Sequence, residues 1–380
     1  MSNTKQNSPR TSVSFAAINQ SLDINMISPG EKVISGKNMV EWGTRNAFPD
    51  YLLDLYNNVP TLRSIINGSV DFIGGDDCTI LPLREGFDNG RMNMKGDTIA
   101  EQVRDLARDY EMYGGFALQI LRDFTGRVSE IYYIDMRFLR CNEEGDVFYY
   151  CENWRKKGVK DCIEYPAFLP FLDWSKLTDE ERARNASSIL YVKNSHTQVY
   201  PAPVYSASIK ACEIERLIDD FHISDLNNHF CSSVIINFNN GDPGDKIKEE
   251  ISDCIQEKFA GASNGGRIML SWNKNKESAT TIHELKMEDF GERYKALSDH
   301  SRQQIFTAFR ANPNLFGIPT EGNGFSNEEY AESYRLYNRT HVRPVQRMIA
   351  DAYDKVYGQR GVLTIVPFSM EETSTEKQVN

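Results

Sequence analysis

Two long apolar stripes at helical spacing constrain this chain more than any other feature. The first runs through "PVYSASIKACEIERLIDDFHISDLNNHF" (203–230), with Val204, Ala207, Ala211, Ile214, Leu217/Ile218 and Phe221 on one face and no internal Pro or Gly. That pattern predicts a helix of about seven turns. The second, 287–310, aligns Met287, Phe290, Tyr294, Leu297, Ser301, Ile305 and Ala308, a spacing that keeps one seam facing a neighbour. Between them lies a small module: the strand "SVIINF", the turn "NNGDPG", the helix "DKIKEEISDCIQEKFAG", the turn "ASNGG", the strand "RIMLSW" and a partner strand near "ATTIHELKM". Two rods bracketing a small head read as a stalk. A narrow stalk cannot hide its stripe alone, so the stripes pack against copies of the chain or, as the plainer alternative, form the core of one domain.

The second rod ends in "ANPNLFGIPTEGNGFSNEEY" (311–330), a Pro-, Asn- and Gly-rich loop too long for an idle connection in a compact domain. Within it Leu315, Phe316 and Ile318 are apolar and are expected to pack beneath the loop, while Gly317, Gly322 and Gly324 supply hinges. A third helix follows, with Ser326 as N-cap and Glu329 reaching back. Its stripe is Tyr330, Tyr334, Tyr337, His341, Val345, Met348, Ala352 and Val356. Pro344 sits inside it, which predicts a kink near Thr340.

The first half reads as α+β. "FPDYLLDLYNNVPTLRSIINGSVDFIGG" predicts two helices, the second opened by Pro60 and ended by Gly74-Gly75. "DTIAEQVRDLARDYEMYGG" predicts a third, with a Thr98–Glu101 capping box and Ile99, Val103, Leu106, Tyr110 and Tyr113 on one face. Aromatic and β-branched runs split by Gly-containing turns then predict an antiparallel meander: "FALQILRD", "VSEIYYIDMRFLRC" and "VFYYCENW". Residues 155–185 read as irregular, with a short helix at "TDEERARN", before the strand "SSILYVKN". The ends of the chain are polar and read as flexible arms.

A formal charge of -11 argues against a grip on nucleic acid by phosphate neutralisation. No run approaches the ~20 apolar residues of a membrane span, and the polar N-terminus lacks a signal core, so an intracellular protein is expected. Seven scattered cysteines without C-x-x-C predict reduced, mostly buried thiols. His229-Phe-Cys231 has no second pair at ligand spacing and reads as structural, not as a metal site. There is no G-x-S-x-G, no H-E-x-x-H and no Walker lysine; "GASNGGR" lacks the Gly-Lys-Ser/Thr end of a phosphate loop. No catalytic residue, metal or cofactor is expected.

The order of motifs resembles the portal proteins of tailed bacteriophages, in their short branch with a minimal crown. The residues that carry it are Tyr200-Pro-Ala-Pro203 before the first rod, "NGGR" (264–267) before a strand, "IFTAFRANPNLFGIP" (305–319), "SNEEYAESYRLYNRTHVRPV" with its internal Pro344, and the upstream "VEWGTRNAFPDYLLDLYNNVPTLRSIINGSVDFIGG". The likeness is collinear over 38–358. Tyr200-Pro-Ala replaces the usual glycine-containing entry, and the segment after Gly361 is short.

The resemblance implies an α+β portal-type subunit: an N-terminal arm 1–37, an α/β wing 38–202, stem helix 203–229, a strand-helix-strand clip 230–286, stem helix 287–311, a tunnel loop 312–326, a kinked helix and final strand 327–368, and a tail 369–380. It also implies a ring of twelve subunits at a capsid vertex of the virion, assembled in the host cytoplasm, through which genomic DNA is packaged and ejected. The implied partners are copies of the chain, double-stranded DNA held without sequence preference, the terminase large subunit, a head-tail connector and the major capsid protein, with no membrane. Asn314, Thr320, Glu321, Gly322, Asn323 and Gly324 would face the DNA, and Lys246, Lys248, Arg267, Lys274 and Lys276 would form the clip docking surface. Taken singly, each of those basic residues reads as a solvated face before a docking one. The acidic balance suits a conduit that must not hold moving DNA. A head-tail adaptor or assembly hub that does not enclose DNA is the alternative.

Overall fold

The computed structural model describes residues 31–34, 38–83, 90–154, 162–195, 198–227, 234–238, 268–272, 290–317 and 327–369. Strands β1 (Glu31–Ile34) and β2 (Met39–Trp42), which the sequence patterns did not announce, form an antiparallel hairpin with Val33 opposite Val40. Helices α1 (Phe48–Asn58) and α2 (Pro60–Gly74) follow as expected. Val59 between them is extended (φ -112°, ψ 102°), because Pro60 drives its predecessor out of the helical region while itself opening the next helix. Leu62, Ile66, Ser69, Val70 and Ile73 are all buried, as the period requires.

Strand β3 (Asp77–Ile80) leads to α3 (Ile99–Tyr113), whose Thr98–Glu101 capping box is formed in both directions. Gly114 ends α3 in the left-handed region (φ 85°). A Cβ there would stand 2.1 Å from the Ala202 carbonyl oxygen, so only glycine lets the segment before the first long helix lie against this helix end.

The expected meander is divided between two sheets. β4 (Gly115–Arg122) is the centre of one, between β5 (Val128–Ile134) and β9 (Ser187–Lys193), all antiparallel. β6 (Leu139–Cys141), β7 (Val147–Tyr150) and β8 (Ile163–Pro166) form the other. The strand read continuously from Val128 to Cys141 is therefore broken, by a 3-10 turn over Met136–Phe138. Buried Asp109 of α3 is the cause: its carboxylate accepts from the Met136 backbone N–H (3.1 Å) and from the Tyr133 hydroxyl (3.0 Å), taking a donor that the sheet would otherwise use. The Asp135 carboxylate then caps the turn on the Arg137 N–H. The short helix expected at "TDEERARN" is α4 (Asp179–Asn185), with its own Thr178–Glu181 box. Cys78, Cys141, Cys151 and Cys212 are buried and Cys162 is half-buried.

The first long helix starts later than its stripe suggests. After Tyr205 comes a 3-10 turn, Ser206–Ser208, and then α5 (Ile209–Asn227). Tyr200 and Tyr205 hold the entry in a non-helical shape. The Tyr200 ring stacks on Trp42 at 4.7 Å, and its hydroxyl donates to the Val40 carbonyl and accepts from the Cys141 N–H. Tyr205 stacks on Phe309 at 5.5 Å. Strands β10 (Val234–Phe238) and β11 (Ile268–Trp272) pair in parallel, which demands a crossover instead of a hairpin. The helix and partner strand expected within 239–287 lie outside the described residues. The second long helix, α6 (Phe290–Phe309), packs along α5.

After the loop, α7 (Asn327–Tyr337), a π-turn (Asn338–Val342) and α8 (Arg343–Tyr357) continue one another. Pro344 acts where expected but by a specific device. The Arg343 N–H reaches five residues back to the Asn338 carbonyl, so Pro344 falls in the first turn of α8, where its missing N–H is not needed. The stripe of this third helix is not surface: Tyr334, Tyr337, Val345, Ile349, Ala352, Tyr353 and Val356 are buried in the same core as α2 and α3. Strand β12 (Leu363–Val366) closes the body against β3, with Ile365 opposite Cys78. Among the described residues, no helix is long and apolar enough to cross a membrane.

Candidate functional site

The loop between α6 and α7 is the candidate, and its root is built from the end of α6. Arg310 takes a left-handed conformation (φ 53°), its N–H bonding the Thr307 carbonyl while the Ala311 N–H bonds that of Phe306. This is a Schellman ending with arginine where glycine is usual. Asn312 then caps a 3-10 turn, Pro313–Phe316, by accepting from the Asn314 N–H. Its amide donates to the Ser333 hydroxyl of α7 at 2.8 Å, tying the outgoing chain to the returning one.

Leu315 is buried, and Phe316 sits among Phe72, Phe306 and Tyr337 at centroid separations of 5.7 to 6.1 Å. Both anchors pack beneath the loop as expected; Ile318 lies outside the described residues. Phe316 lies over Gly68 of α2, whose missing side chain makes room for the ring. Gly317 (φ 78°) lets the chain leave this seat in a direction other residues resist.

On the returning side, the Tyr337 hydroxyl meets Ser69 Oγ at 2.7 Å. Ser69 spends its own proton on the Ile65 carbonyl, so Tyr337 is the donor. One turn on, His341 Nε2 lies 2.7 Å from Glu111 Oε1 of α3, and the imidazole stacks on Tyr337 at 5.0 Å. Burial opposes charge on His341, but the Glu111 carboxylate outweighs it and raises the imidazole pKa above its ordinary value. Gln346 further ties α8 to the Ile73 carbonyl. Both ends of the loop are thus fastened to α2 and α3.

The α5–α6 pair presents a second surface. Near the body, Ile209, Ala211, Cys212 and Ile218 of α5 and Ile305, Phe306 and Phe309 of α6 are buried. Farther out the same faces are open: Leu217 is 39%, Phe221 41%, Ile223 58% and Leu297 40% exposed. Phe221 stacks on Tyr294 across the pair at 4.9 Å, which aligns the two helices without covering their outer apolar faces.

Of the DNA-facing residues expected from the sequence, Asn314 stands half-buried in the 3-10 turn at the loop root. Thr320, Glu321, Gly322, Asn323 and Gly324 lie outside the described residues, as do Lys246, Lys248, Arg267, Lys274 and Lys276 and the His229–Cys231 pair. No cluster of His, Cys, Asp or Glu fit to hold a metal occurs among the described residues. Gly68, Ser69 and Glu111 were not singled out from sequence as partners of the loop. They become visible only once α2 and α3 are laid beside α7.

No protein-family model matches the chain, and no curated protein sequence does. Solved structures do. A chain in the neck of the native GTA particle computed with C12 symmetry aligns at a TM-score of 0.52 and 16% identity, over 86% of each chain. A chain of the virion of the native gene transfer agent particle aligns at 0.51 and 17%, over 84% of this chain and 83% of that one. A HK97 family phage portal protein from Corynebacterium diphtheriae aligns at 0.47 and 11%, over 83% and 93%, a likeness too low to carry weight. At these identities the likeness is one of fold. The chain shares the fold of those two gene-transfer-agent chains.

Proposed function

We propose that this chain is the portal subunit of a phage or prophage capsid. The observation that carries the reading is a collinear order, an α+β body, a long helix, a parallel strand pair, a second long helix, a loop and a return helix, on a fold shared with a chain of a neck computed with C12 symmetry. In this reading 38–202 is the wing, 203–229 and 287–311 the stem, 230–286 the clip and 312–326 the tunnel loop. The open apolar faces of Leu217, Phe221, Ile223 and Leu297 support ring closure, since a stem with such faces is completed by sister stems.

The ring sits at a capsid vertex, held there by the major capsid protein. Its loops gather at the axis around a DNA duplex, and the terminase large subunit and later a connector dock on the clip. The net charge of -11 suits passage without a phosphate grip. The work is mechanical and needs no cofactor.

End-on negative-stain electron microscopy of the purified protein tests this directly. A closed ring with a bore of at least ~20 Å, enough for a duplex, is expected, and a persistent monomer at high concentration and in assembled particles removes the proposal. Shortening 320–324 should preserve the ring and impair packaging; unchanged packaging points to an adaptor instead. Charge reversal at Lys274 and Lys276 should weaken terminase or connector capture and leave folding intact, and undiminished capture would discard the clip assignment.

A further inference from the structure

Glu111 and His341 are 230 positions apart in sequence and form the one ionisable contact described between α3 and the π-turn. Both are nearly sealed from solvent, with side-chain exposures of 0% for Glu111 and 11% for His341. The second carboxylate oxygen, Glu111 Oε2, is buried without a hydrogen-bond partner among the described residues. The pair sits where the helix is widest-wound, at the one stretch between α7 and α8 that departs from α geometry.

We infer that Glu111 and His341 form a proton-operated latch, which clamps the π-turn to α3 while the imidazole is charged and loosens it when the imidazole loses its proton. With the proton present, a carboxylate and an imidazolium share a short charge-assisted hydrogen bond in a dry site. Without it, Glu111 is a buried anion facing a neutral ring, one oxygen already unpaired. An uncompensated buried charge is costly, and the cost is relieved by admitting water or by opening the contact. The π-turn is the part able to give, because its backbone ladder is already interrupted. Through Ser333 of α7, bonded to Asn312, any loosening reaches the loop root.

The surrounding groups fit one proton as the trigger. Glu111 from α3 favours the charged ring and Arg310 from the end of α6 opposes it. Tyr337 of the same helix and Tyr205 from the turn ahead of α5 both feel Glu111, and burial drives both phenols far up, so they stay neutral. From α2 the contact is Ser69, uncharged, through Tyr337.

The sign follows from linkage. The folded imidazole has a higher pKa than the unfolded one, near 6.5, so the clamp is complete below about pH 6.5 and is lost as pH rises through the folded value. The latch belongs to the single subunit and stands whether or not subunits close into a ring.

Two measurements test it. Backbone hydrogen exchange over 335–345, corrected for the intrinsic pH dependence, should show opening that grows by up to about tenfold per pH unit from about pH 6.5 to the folded imidazole pKa and levels off above it. Glu111→Gln should flatten that dependence. Exchange at the His341 ring C2–H, read by mass spectrometry, should give a midpoint above about 6.5 in the unaltered protein. The second measurement needs no variant, so a Glu111→Gln chain that fails to fold does not shelter the idea. A midpoint at or below the ordinary value, or backbone opening with no pH dependence, overturns it.

Discussion

The Phe316 ring occupies the space where a side chain on Gly68 would stand: a Cβ there would lie 2.8 Å from two ring carbons. This fixes where the chain leaves the body, because Phe316, just before Gly317, is seated on α2. Gly68→Ala gains about 0.5–1 kcal/mol of helix propensity but unseats the ring. We expect a melting temperature close to that of the unaltered protein together with chymotryptic cleavage after Phe316 that is faster by roughly tenfold, the signature of local rather than global opening. In a Phe316→Ala background the added methyl should be harmless. Unchanged cleavage in Gly68→Ala would mean the ring does not set the loop root.

The Ser69–Tyr337 contact separates two kinds of loss. Tyr337→Phe removes a donor, while Ser69 keeps its bond to the Ile65 carbonyl, so the expected cost is about 0.5–1.5 kcal/mol. Ser69→Ala strands the buried Tyr337 hydroxyl and should cost about 1–3 kcal/mol, even though alanine is the better helix former. Denaturant unfolding of both variants checks the order, and the reverse order would show that another acceptor serves Tyr337.

Much of this arrangement was legible in periodicity. The stripes of α2, α3, α5, α6 and α7–α8 follow from spacing, and so does the interruption near Thr340, since one proline cannot continue a ladder. Spacing did not tell which surface each stripe meets. The third stripe lies in the core shared with α2 and α3, because Ser69, Ile73 and Glu111 offer partners that only the tertiary path brings near. The β3–β12 pair escaped for the same reason: Cys78 and Ile365 are joined by no local pattern. The break at Asp135 was hidden because its cause, Asp109, is a polar residue on a helix face that looks merely amphipathic.

Arg140 is a further case that sequence conceals. It is 1% exposed, and among the described residues its hydrogen bonds go to Asn46 Oδ1 and to the carbonyls of Asn46, Arg137 and Leu139, none of them to a carboxylate. The guanidinium also lies over Trp42 and Trp154, at 5.6 and 5.0 Å from their ring centroids. Burial lowers its pKa from the usual arginine value. Lysine has neither the planar fork nor the reach to serve three carbonyls and an amide. Arg140→Lys should therefore cost roughly 3 kcal/mol or more in thermal or denaturant unfolding, by leaving several buried acceptors unpaired. A loss below about 1 kcal/mol would mean that water replaces the lost donors.

The stem offers the sharpest separation of folding from assembly. Leu217 and Leu297 are 39% and 40% exposed, each on a stem helix whose inner face is already buried nearer the body. A glutamate at either position meets solvent in the isolated subunit, so Leu217→Glu and Leu297→Glu should each shift unfolding by no more than about 0.5 kcal/mol. In a ring the same carboxylates would be pressed between apolar stems, and every subunit would contribute one. Repetition around a closed symmetry multiplies a modest penalty at each interface into a large one for the whole. Mass photometry of the unaltered protein should therefore give ring-sized particles, and the two variants should give folded single subunits. Variants that still close into rings at the same concentration would show that the outer stem faces do not meet, and the burial of these stripes would then have to be sought against a different partner.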